Sequence, residues 1–371
     1  MNKLKIALVK QEVYQDLYVC PVTEKDPGQI LFSSMGRVGP IALMSDLNAD
    51  FYIVKEESNK ETRIYQKVIP HIAPYLHLLK TETLDKIPGQ EFKSPGSPYP
   101  NGKYAVSCYT IDWGQYDIVI SINISLPTQL ILKYPQTLFA YMIGEANMAT
   151  GKARFGYDAT LNQMARGRIS HKRGAIDFPY TFVAKDTLEK IMQQYLGRPS
   201  ARKGIFMEIN STTERPVTRI PDHFQPLADA GYEIILHQQK IADNLKNIYD
   251  AKYFVKMGGR SIRGNSVAEA VSLGTLAIMN RDEVIHHELI IDECNVKTMD
   301  EMISLINRLE NDPELYRTLQ QKQRQVLHTY FFDAPLQSLI NCLKEKRGLS
   351  KPRTYSRWNR LFDNLYFLKL R

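Results

Sequence analysis

Short runs of aliphatic and β-branched residues recur along the first half of the chain, each about the length of a strand. These runs are residues 3–9, 50–54, 116–122 and 137–143. Continuous apolar runs of this length are typical of strands that are buried on both faces of a sheet. Between the first two runs, residues 29–39 end in a glycine-containing loop, and residues 40–47 form a predicted helix. The alternation of strands and helices predicts an α/β fold with a parallel sheet.

The same alternation returns after residues 197–203, whose sequence GRPSARK is typical of a linker. The predicted strands beyond it are residues 204–209, 232–236, 251–256 and 275–279, and the predicted helices are 221–230, 241–249, one that starts at 265, 300–310 and one from 314 onward. A chain of 371 residues is long enough for two domains. We predict a Rossmann-like first domain over 1–196, a Rossmann-like second domain over 204–335 and a basic helical tail over 336–371.

A glycine-rich loop with two arginines follows the predicted strand 251–256. Residues 256–280 have the sequence KMGGRSIRGNSVAEAVSLGTLAIMN, in which the loop passes into a helix. The N–H groups at a helix N-terminus favour anions, and guanidinium groups bind phosphate oxygens in a charge-assisted way. We therefore predict a phosphate site formed by Gly259, Arg260, Arg263, Gly264, Asn265 and Ser266. The alternative is that the arginines are solvated and that Ser266 only caps the helix.

A second polar loop follows the predicted strand 204–209 and contains Ser211, Thr212 and Thr213. Ligands of open parallel sheets bind outside the carboxyl ends of the strands, and both polar loops lie at such ends. We expect Ser211 and Thr212 to contact the same phosphorylated ligand as the glycine-rich loop. As an alternative, they are ordinary turn residues that contact no ligand.

Two segments of the second half resemble the GT-B class of glycosyltransferases. The segment EAVSLGTLAI, which begins at Glu269, is similar to the helix-to-strand segment of the donor-binding domain in that class. Residues 302–319 are similar to the helices that close many of its members. The resemblance implies two Rossmann-like domains that face a cleft, with a nucleotide-sugar donor held mainly by the second domain.

The resemblance also implies roles for single residues. Glu269 would bond hydroxyl groups of the donor. A large retaining group of the class carries two glutamates, of which Glu269 would be the second, whereas Ser261 stands at the first position. Whether transfer inverts or retains the anomeric configuration is therefore left open. The resemblance implies no cofactor, because the nucleotide sugar is a co-substrate.

An inverting transfer needs a general base in the first domain to take the proton of the acceptor hydroxyl. The candidates are Glu145, Asp112 and Asp177. Glu145 is favoured because it comes just after the apolar run 137–143. For each of the three, a cap, an ion pair or simple exposure is the ordinary alternative. An acceptor site is predicted at Gly36, Arg37 and Gly39, where the alternative is a tight turn.

The net charge of +8 is concentrated at the C-terminus. Residues 344–371 contain nine Lys or Arg residues and two acidic residues, so the rest of the chain is nearly neutral. This distribution disfavours nucleic acid as a partner. An apolar stripe at helical spacing is formed by Trp358, Leu361, Phe362 and Leu365. The stripe predicts either a terminal helix packed on the body or, over residues 345–371, a helix on an anionic membrane surface.

Cysteine and histidine positions bear on the compartment and on metal binding. The cysteines Cys20, Cys108, Cys294 and Cys342 are far apart in the chain. This spacing favours a reducing compartment and predicts a cytoplasmic protein or one at the cytoplasmic face of a membrane. His286 and His287 make a poor chelate, because neighbours on a strand point to opposite faces. No metal site is predicted.

Together these features predict a metal-independent glycosyltransferase of polysaccharide biosynthesis. It would move a sugar from a nucleotide-sugar donor to a hydroxyl of a glycan or lipid-linked glycan. Two alternatives stay open, namely a nucleotide-sugar epimerase on the same fold and a non-catalytic protein that binds a nucleotide sugar or a glycan.

Overall fold

Both halves of the chain form parallel β-sheets in the computed structural model. The structure describes residues 4–11, 47–54, 76–79, 108–122, 126, 128–143, 156–162, 175–178, 186–208, 217–237, 241–258, 265–351 and 354. Among these residues, one sheet has seven strands and the other has four, and all paired strands run parallel. The prediction of an α/β fold with two Rossmann-like halves is confirmed.

The first sheet consists of β1 (Ile6–Gln11), β2 (Asp50–Val54), β3 (Leu76–Leu79), β4 (Ile118–Ile122), β5 (Leu138–Ile143), β6 (Ala159–Asn162) and β7 (Ala175–Asp177). Their order across the sheet is β3-β2-β1-β4-β5-β6-β7. The central strand β4 is buried along its whole length, because apolar clusters cover both faces of the sheet. Two helices, α1 (Thr128–Leu132) and α2 (Thr187–Leu196), follow β4 and β7 in the chain.

The inner strands lie where the apolar runs predict them, whereas the outer strands do not. Strands β1, β2, β4 and β5 coincide with the four predicted runs. The pattern does not predict β3, β6 or β7, which are three or four residues long. Strand β6 has the sequence ATLN and β7 has the sequence AID, so neither presents a continuous apolar run.

The second sheet consists of β8 (Ile205–Met207), β9 (Ile234–Ile235), β10 (Tyr253–Lys256) and β11 (Leu276–Met279). The helices between these strands are α3 (Gln225–Asp229), α4 (Ile241–Asp250) and α5 (Asn265–Ser272). The strand order is β11-β10-β8-β9, so the direction of winding reverses between β8 and β10. This reversal is the topological switch point at which open α/β sheets bind their ligands.

Three helices close the described part of the chain, namely α6 (Met299–Asn311), α7 (Pro313–His328) and α8 (Ala334–Arg347). Helix α6 begins with a capping box. The side chain of Thr298 accepts the backbone N–H of Glu301, and the side chain of Glu301 accepts the backbone N–H of Thr298. Asp312 ends α6 and caps α7 by accepting from Glu314 N and Leu315 N. The sequence Asn-Asp-Pro therefore separates two helices, as predicted.

The C-terminal end of α8 returns to the first sheet. Lys346 Nζ lies 2.7 Å from Asp158 Oδ2 and 2.6 Å from the carbonyl oxygen of Thr137. Arg347 donates to Asp117 Oδ1 at 2.7 Å. Burial raises the pKa of Asp117, but the hydrogen bonds from a backbone N–H and from Arg347 outweigh burial and hold that pKa below its usual value. The three partners precede β4, β5 and β6, so α8 meets the amino edge of the sheet.

We expect Lys346→Ala to lower the free energy of unfolding by about 3 kcal/mol, because it leaves the nearly buried carboxylate of Asp158 without its cation. The side chains of the pair are 12% and 5% exposed. Urea denaturation of the full chain measures the change. Lys344→Ala is the matched control, since Lys344 is exposed on the same helix. Equal midpoints for the two variants would contradict this role of the pair.

Candidate functional site

The loops that follow β8 and β10 begin at the switch point of the second sheet. Glu208 continues β8 by donating its N–H to Val255 O at 2.9 Å, and Val217 donates its N–H to His237 O at 3.2 Å. The Ser/Thr loop therefore leaves the sheet beside β10 and returns beside the end of β9. Ser211 and Thr212 lie outside the described residues, but both ends of their loop are held at the carboxyl edge.

The glycine-rich loop starts at Gly258, two positions after the last residue of β10. Gly258 has φ = +69°, a left-handed backbone conformation that favours glycine. The loop ends at Asn265, the first residue of α5. Gly259, Arg260, Arg263 and Gly264 lie outside the described residues. The two described ends of the loop are Gly258, which follows β10 at the switch point, and the N-terminus of α5.

Helix α5 presents two polar side chains on one face. Ser266 and Glu269 are half-buried, whereas Val267, Ala268 and Ala270 are buried against the sheet. Residues three apart lie on the same side of a helix, one turn above the other. Of the residues predicted to bind the nucleotide-sugar donor, the structure therefore brings Ser266 and Glu269 together on the accessible side of α5. Both lie in the first turns of the helix, where the helix dipole favours anions.

The carboxyl end of α5 is fixed by a charged cluster. Arg202 donates to Leu273 O and, at 3.2 Å, to Thr275 Oγ1, and it pairs with Glu189 of α2 at 2.6 Å. Arg324 of α7 pairs with the other carboxylate oxygen of Glu189. Cations are favourable at a helix C-terminus, where carbonyl groups are left without partners inside the helix. The cluster thus fixes α5 at its C-terminal end, whereas the nucleotide-sugar donor is predicted to bind at its N-terminal end.

Gly274 ends α5 with φ = +81°, and a Cβ atom there would overlap the guanidinium groups of Arg324 and Arg202. We expect Gly274→Ala to lower the free energy of unfolding by about 3 kcal/mol, from backbone strain and from the displaced arginines. Gly197→Ala is the matched control, because Gly197 has φ = +64° and a Cβ atom added there would have no neighbour within 4 Å.

The Gly197→Ala control measures backbone strain alone, which we expect to lower the free energy of unfolding by about 1 kcal/mol. Urea denaturation measures both variants. If Gly274→Ala cost no more than Gly197→Ala, the arginines would not be held tightly against α5.

A buried polar cluster that the sequence pattern does not reveal lies at the carboxyl ends of β8 and β9. Glu208 and His237 are each 5% exposed and follow β8 and β9, with 3.8 Å between Glu208 Oε1 and His237 Nε2. Asn244 of α4 lies 3.2 Å from the other ring nitrogen of His237. The sequence signal that could have indicated this cluster is a charged residue and a histidine, each directly after or shortly after an apolar strand.

A second such group, Lys256 and Glu283, contacts the backbone of Gly258, where the glycine-rich loop begins. Lys256 is the last residue of β10 and is fully buried, with its Nζ 2.6 Å from Glu283 Oε2. Its position as the only charged residue of an otherwise apolar strand is visible in the sequence YFVK. Glu283, 27 positions later, carries no signal of its own.

The candidate bases occupy different edges of the first sheet. Asp112 caps the turn Trp113–Gln115 by accepting from Gly114 N at 3.0 Å, and this turn precedes β4 at the amino edge. Asp177 is the last residue of β7 and so belongs to the carboxyl edge. Glu145 lies outside the described residues, two positions after the end of β5. The structure therefore does not bring Asp112 together with Asp177.

The predicted acceptor residues Gly36, Arg37 and Gly39 lie outside the described residues. Within the described part, no group of three His, Cys, Asp or Glu residues is arranged to hold a metal ion. His286 is buried against the rings of Tyr330 and Phe331, whereas His287 lies 3.5 Å from Glu288. None of the helices in the described ranges has the length and apolar character needed to cross a membrane.

No model of a known protein family and no curated protein matches the chain. Solved structures resemble it over most of its length. Sucrose-phosphate synthase from Thermosynechococcus elongatus is 14% identical, with a TM-score of 0.42, and the match covers 92% of this chain and 98% of that one. The BGT of T4 phage in complex with its UDP-glucose substrate is 12% identical, with a TM-score of 0.37 over 93% and 100% of the two chains. The calicheamicin glycosyltransferase is 8% identical, with a TM-score of 0.34 over 95% and 100%.

Proposed function

We propose that the chain is a glycosyltransferase that moves a sugar from a nucleotide-sugar donor to a hydroxyl of a glycan or lipid-linked glycan. One observation carries the proposal: a loop with two arginines leaves β10 at the switch point and ends at the N-terminus of α5. The diphosphate of a nucleotide sugar is the anion that such a loop would bind. Ser266 and Glu269, on the accessible side of α5, would bond the phosphate and the hydroxyl groups of the donor.

The proposed chemistry is a displacement at the anomeric carbon. The bond from this carbon to the diphosphate oxygen breaks, and a bond to the acceptor oxygen forms. Negative charge collects on the departing diphosphate, where Arg260, Arg263 and the N-terminus of α5 would stabilise it. Two guanidinium groups would provide the positive charge that a divalent cation provides in metal-dependent transferases. We therefore propose transfer without a metal or another cofactor.

In the inverting form of the reaction, a carboxylate of the first domain takes the proton of the acceptor hydroxyl. We propose Glu145 or Asp177 for this role, because Asp177 ends β7 at the carboxyl edge of the first sheet and Glu145 comes two positions after β5 in the sequence. Asp112 is the third candidate and lies at the amino edge. Gly36, Arg37 and Gly39 remain the proposed acceptor side.

We expect Arg260→Ala combined with Arg263→Ala to weaken nucleotide binding about 100-fold. Each charge-assisted hydrogen bond contributes about 1.5 kcal/mol, and 1.4 kcal/mol corresponds to a factor of ten. The measurement is a calorimetric titration with nucleoside diphosphates and nucleotide sugars, among them UDP-glucose, followed by product analysis. Arg317→Ala is the control, because Arg317 is exposed on α7 and pairs only with Glu314 among the described residues.

Unchanged nucleotide affinity in the double variant would refute the phosphate role of the loop. Product analysis with donor alone separates the two enzymatic possibilities, because an epimerase would convert the sugar without an acceptor. Binding without turnover in the presence of candidate acceptors would indicate a non-catalytic nucleotide-sugar-binding protein.

We also propose a cytoplasmic location at the face of an anionic membrane. Lys346 and Arg347 are paired with the first sheet, so this contact falls to residues 351–371, which contain six Lys or Arg residues and one acid. Each basic residue near an anionic surface contributes about 1 kcal/mol.

We expect a variant with glutamine at 351, 353, 357 and 360 to lose co-sedimentation with vesicles that contain phosphatidylserine. The control variant carries glutamine at four basic residues outside the tail, namely Lys190, Lys203, Lys246 and Arg317. Vesicles of phosphatidylcholine alone report binding that does not depend on charge. Equal sedimentation of the two variants would contradict a membrane role of the tail.

A further inference from the structure

Lys256 is an unusual residue for the end of a central strand. Its side chain is fully buried, and the other residues of β10 form the apolar core. An ammonium group loses its hydration when it is buried, so it needs close polar partners. Lys256 Nζ has two such partners, Glu283 Oε2 at 2.6 Å and the carbonyl oxygen of Gly258 at 2.6 Å.

Glu283 completes the arrangement from the other side. Its Oε1 accepts the backbone N–H of Gly258 at 2.9 Å. The pair thus binds both backbone polar groups of Gly258, the residue with which the glycine-rich loop begins. Because Gly258 has φ = +69°, these two contacts hold a backbone conformation that sets the direction in which the chain leaves β10.

The turn that carries Glu283 is itself fixed. This turn, Arg281–Glu283, follows β11 and is capped by Asn280, whose Oδ1 accepts from Asp282 N at 3.0 Å. The N–H of Arg281 donates to Asn295 Oδ1 at 2.8 Å. Strand β11 therefore supplies a rigid support for the loop that follows its neighbour β10.

A buried ion pair adds little net stability compared with apolar residues of similar volume. Such a pair is therefore better explained by the conformation that it fixes than by the stability that it adds. The pair is also neutral as a unit, so it does not add net charge to a phosphate site. Its effect on a bound anion would come through the position of the loop.

We propose that Lys256 and Glu283 are positioning residues for the donor site: together they clamp the backbone of Gly258 and so set the direction in which the chain enters the glycine-rich loop. This inference rests on the proposed function of the loop. Neither residue needs to touch the donor. The clamp acts on the first residue of the loop, and α5 fixes its last residue.

The test replaces the pair with apolar residues, Lys256→Met together with Glu283→Leu. This double variant leaves no unpaired buried charge, so we expect its urea midpoint to stay close to that of the wild type. Gly258 loses both contacts, so we expect nucleoside diphosphate affinity to fall at least about tenfold, and amides of residues 257–266 to exchange hydrogen faster. Salt screens exposed charges but does not screen this neutral buried pair. The factor by which nucleotide affinity falls should therefore be the same at about 0.05 M and about 0.5 M salt.

The matched control is Lys252→Met together with Glu310→Leu. That pair, 2.9 Å apart, involves the residue that precedes β10, at the opposite edge of the sheet from the loop. We expect wild-type affinity and wild-type exchange of residues 257–266 in this variant. Lys256→Met alone should be less stable than the double variant, because it leaves the Glu283 carboxylate without its cation.

The outcomes separate the clamp from the proposed function. Wild-type affinity and wild-type loop exchange in a folded double variant would overturn the clamp. The double variant should be more stable than Lys256→Met alone. If nucleotide affinity also returned to the wild-type value in the double variant, the pair would have only a structural role, and the clamp would be overturned as well. If the wild type binds none of the nucleotides, the proposed function fails, and exchange of residues 257–266 still decides whether the pair orders the loop.

Discussion

Parallel pairing of the strands sends every loop that follows a strand to the same edge of its sheet. In the second sheet, this constraint brings together segments that are far apart in the chain, because β8 and β10 are neighbours although β9 lies between them in sequence. The carboxyl ends of β8 and β10, where the Ser/Thr loop and the glycine-rich loop begin, are neighbours because the winding reverses between these two strands. The proposed donor site therefore depends on strand order.

Charged side chains then fix two points near these loops, the C-terminal end of α5 and the backbone of Gly258. Helix α5 is held at its C-terminal end by Arg202, Arg324 and Glu189, and the loop before it is held at Gly258 by Lys256 and Glu283. Both groups use buried or half-buried ions to bind backbone atoms. Backbone carbonyl and N–H groups near a loop have no ladder partner, so ions and their hydrogen bonds replace the ladder there.

The central strands could be predicted from sequence because their signals are local. A run such as Ile-Val-Ile-Ser-Ile in β4 needs no knowledge of its neighbours. The outer strands β6 and β7 could not be predicted, because partners supply the pairing that their own composition does not favour. For the proposed site, Ser266 is predicted from its place at a helix start and Glu269 from the family resemblance. The pairing of Lys256 with Glu283 depends on β10 lying beside β11, and composition alone does not encode that neighbourhood.

The return of α8 to the first sheet has a consequence for the order in which the chain matures on the ribosome. Lys346 is 188 positions after Asp158, and Arg347 is 230 positions after Asp117. The amino edge of the first sheet therefore stays incomplete until translation has passed the whole second half. Contacts with such long sequence separation form slowly, since the entropy of closing a large loop must be overcome first. While the second half is being synthesised, Asp117 and Asp158 consequently lack the two cations that α8 later supplies, and the carboxylate charge would keep this edge hydrated until α8 arrives.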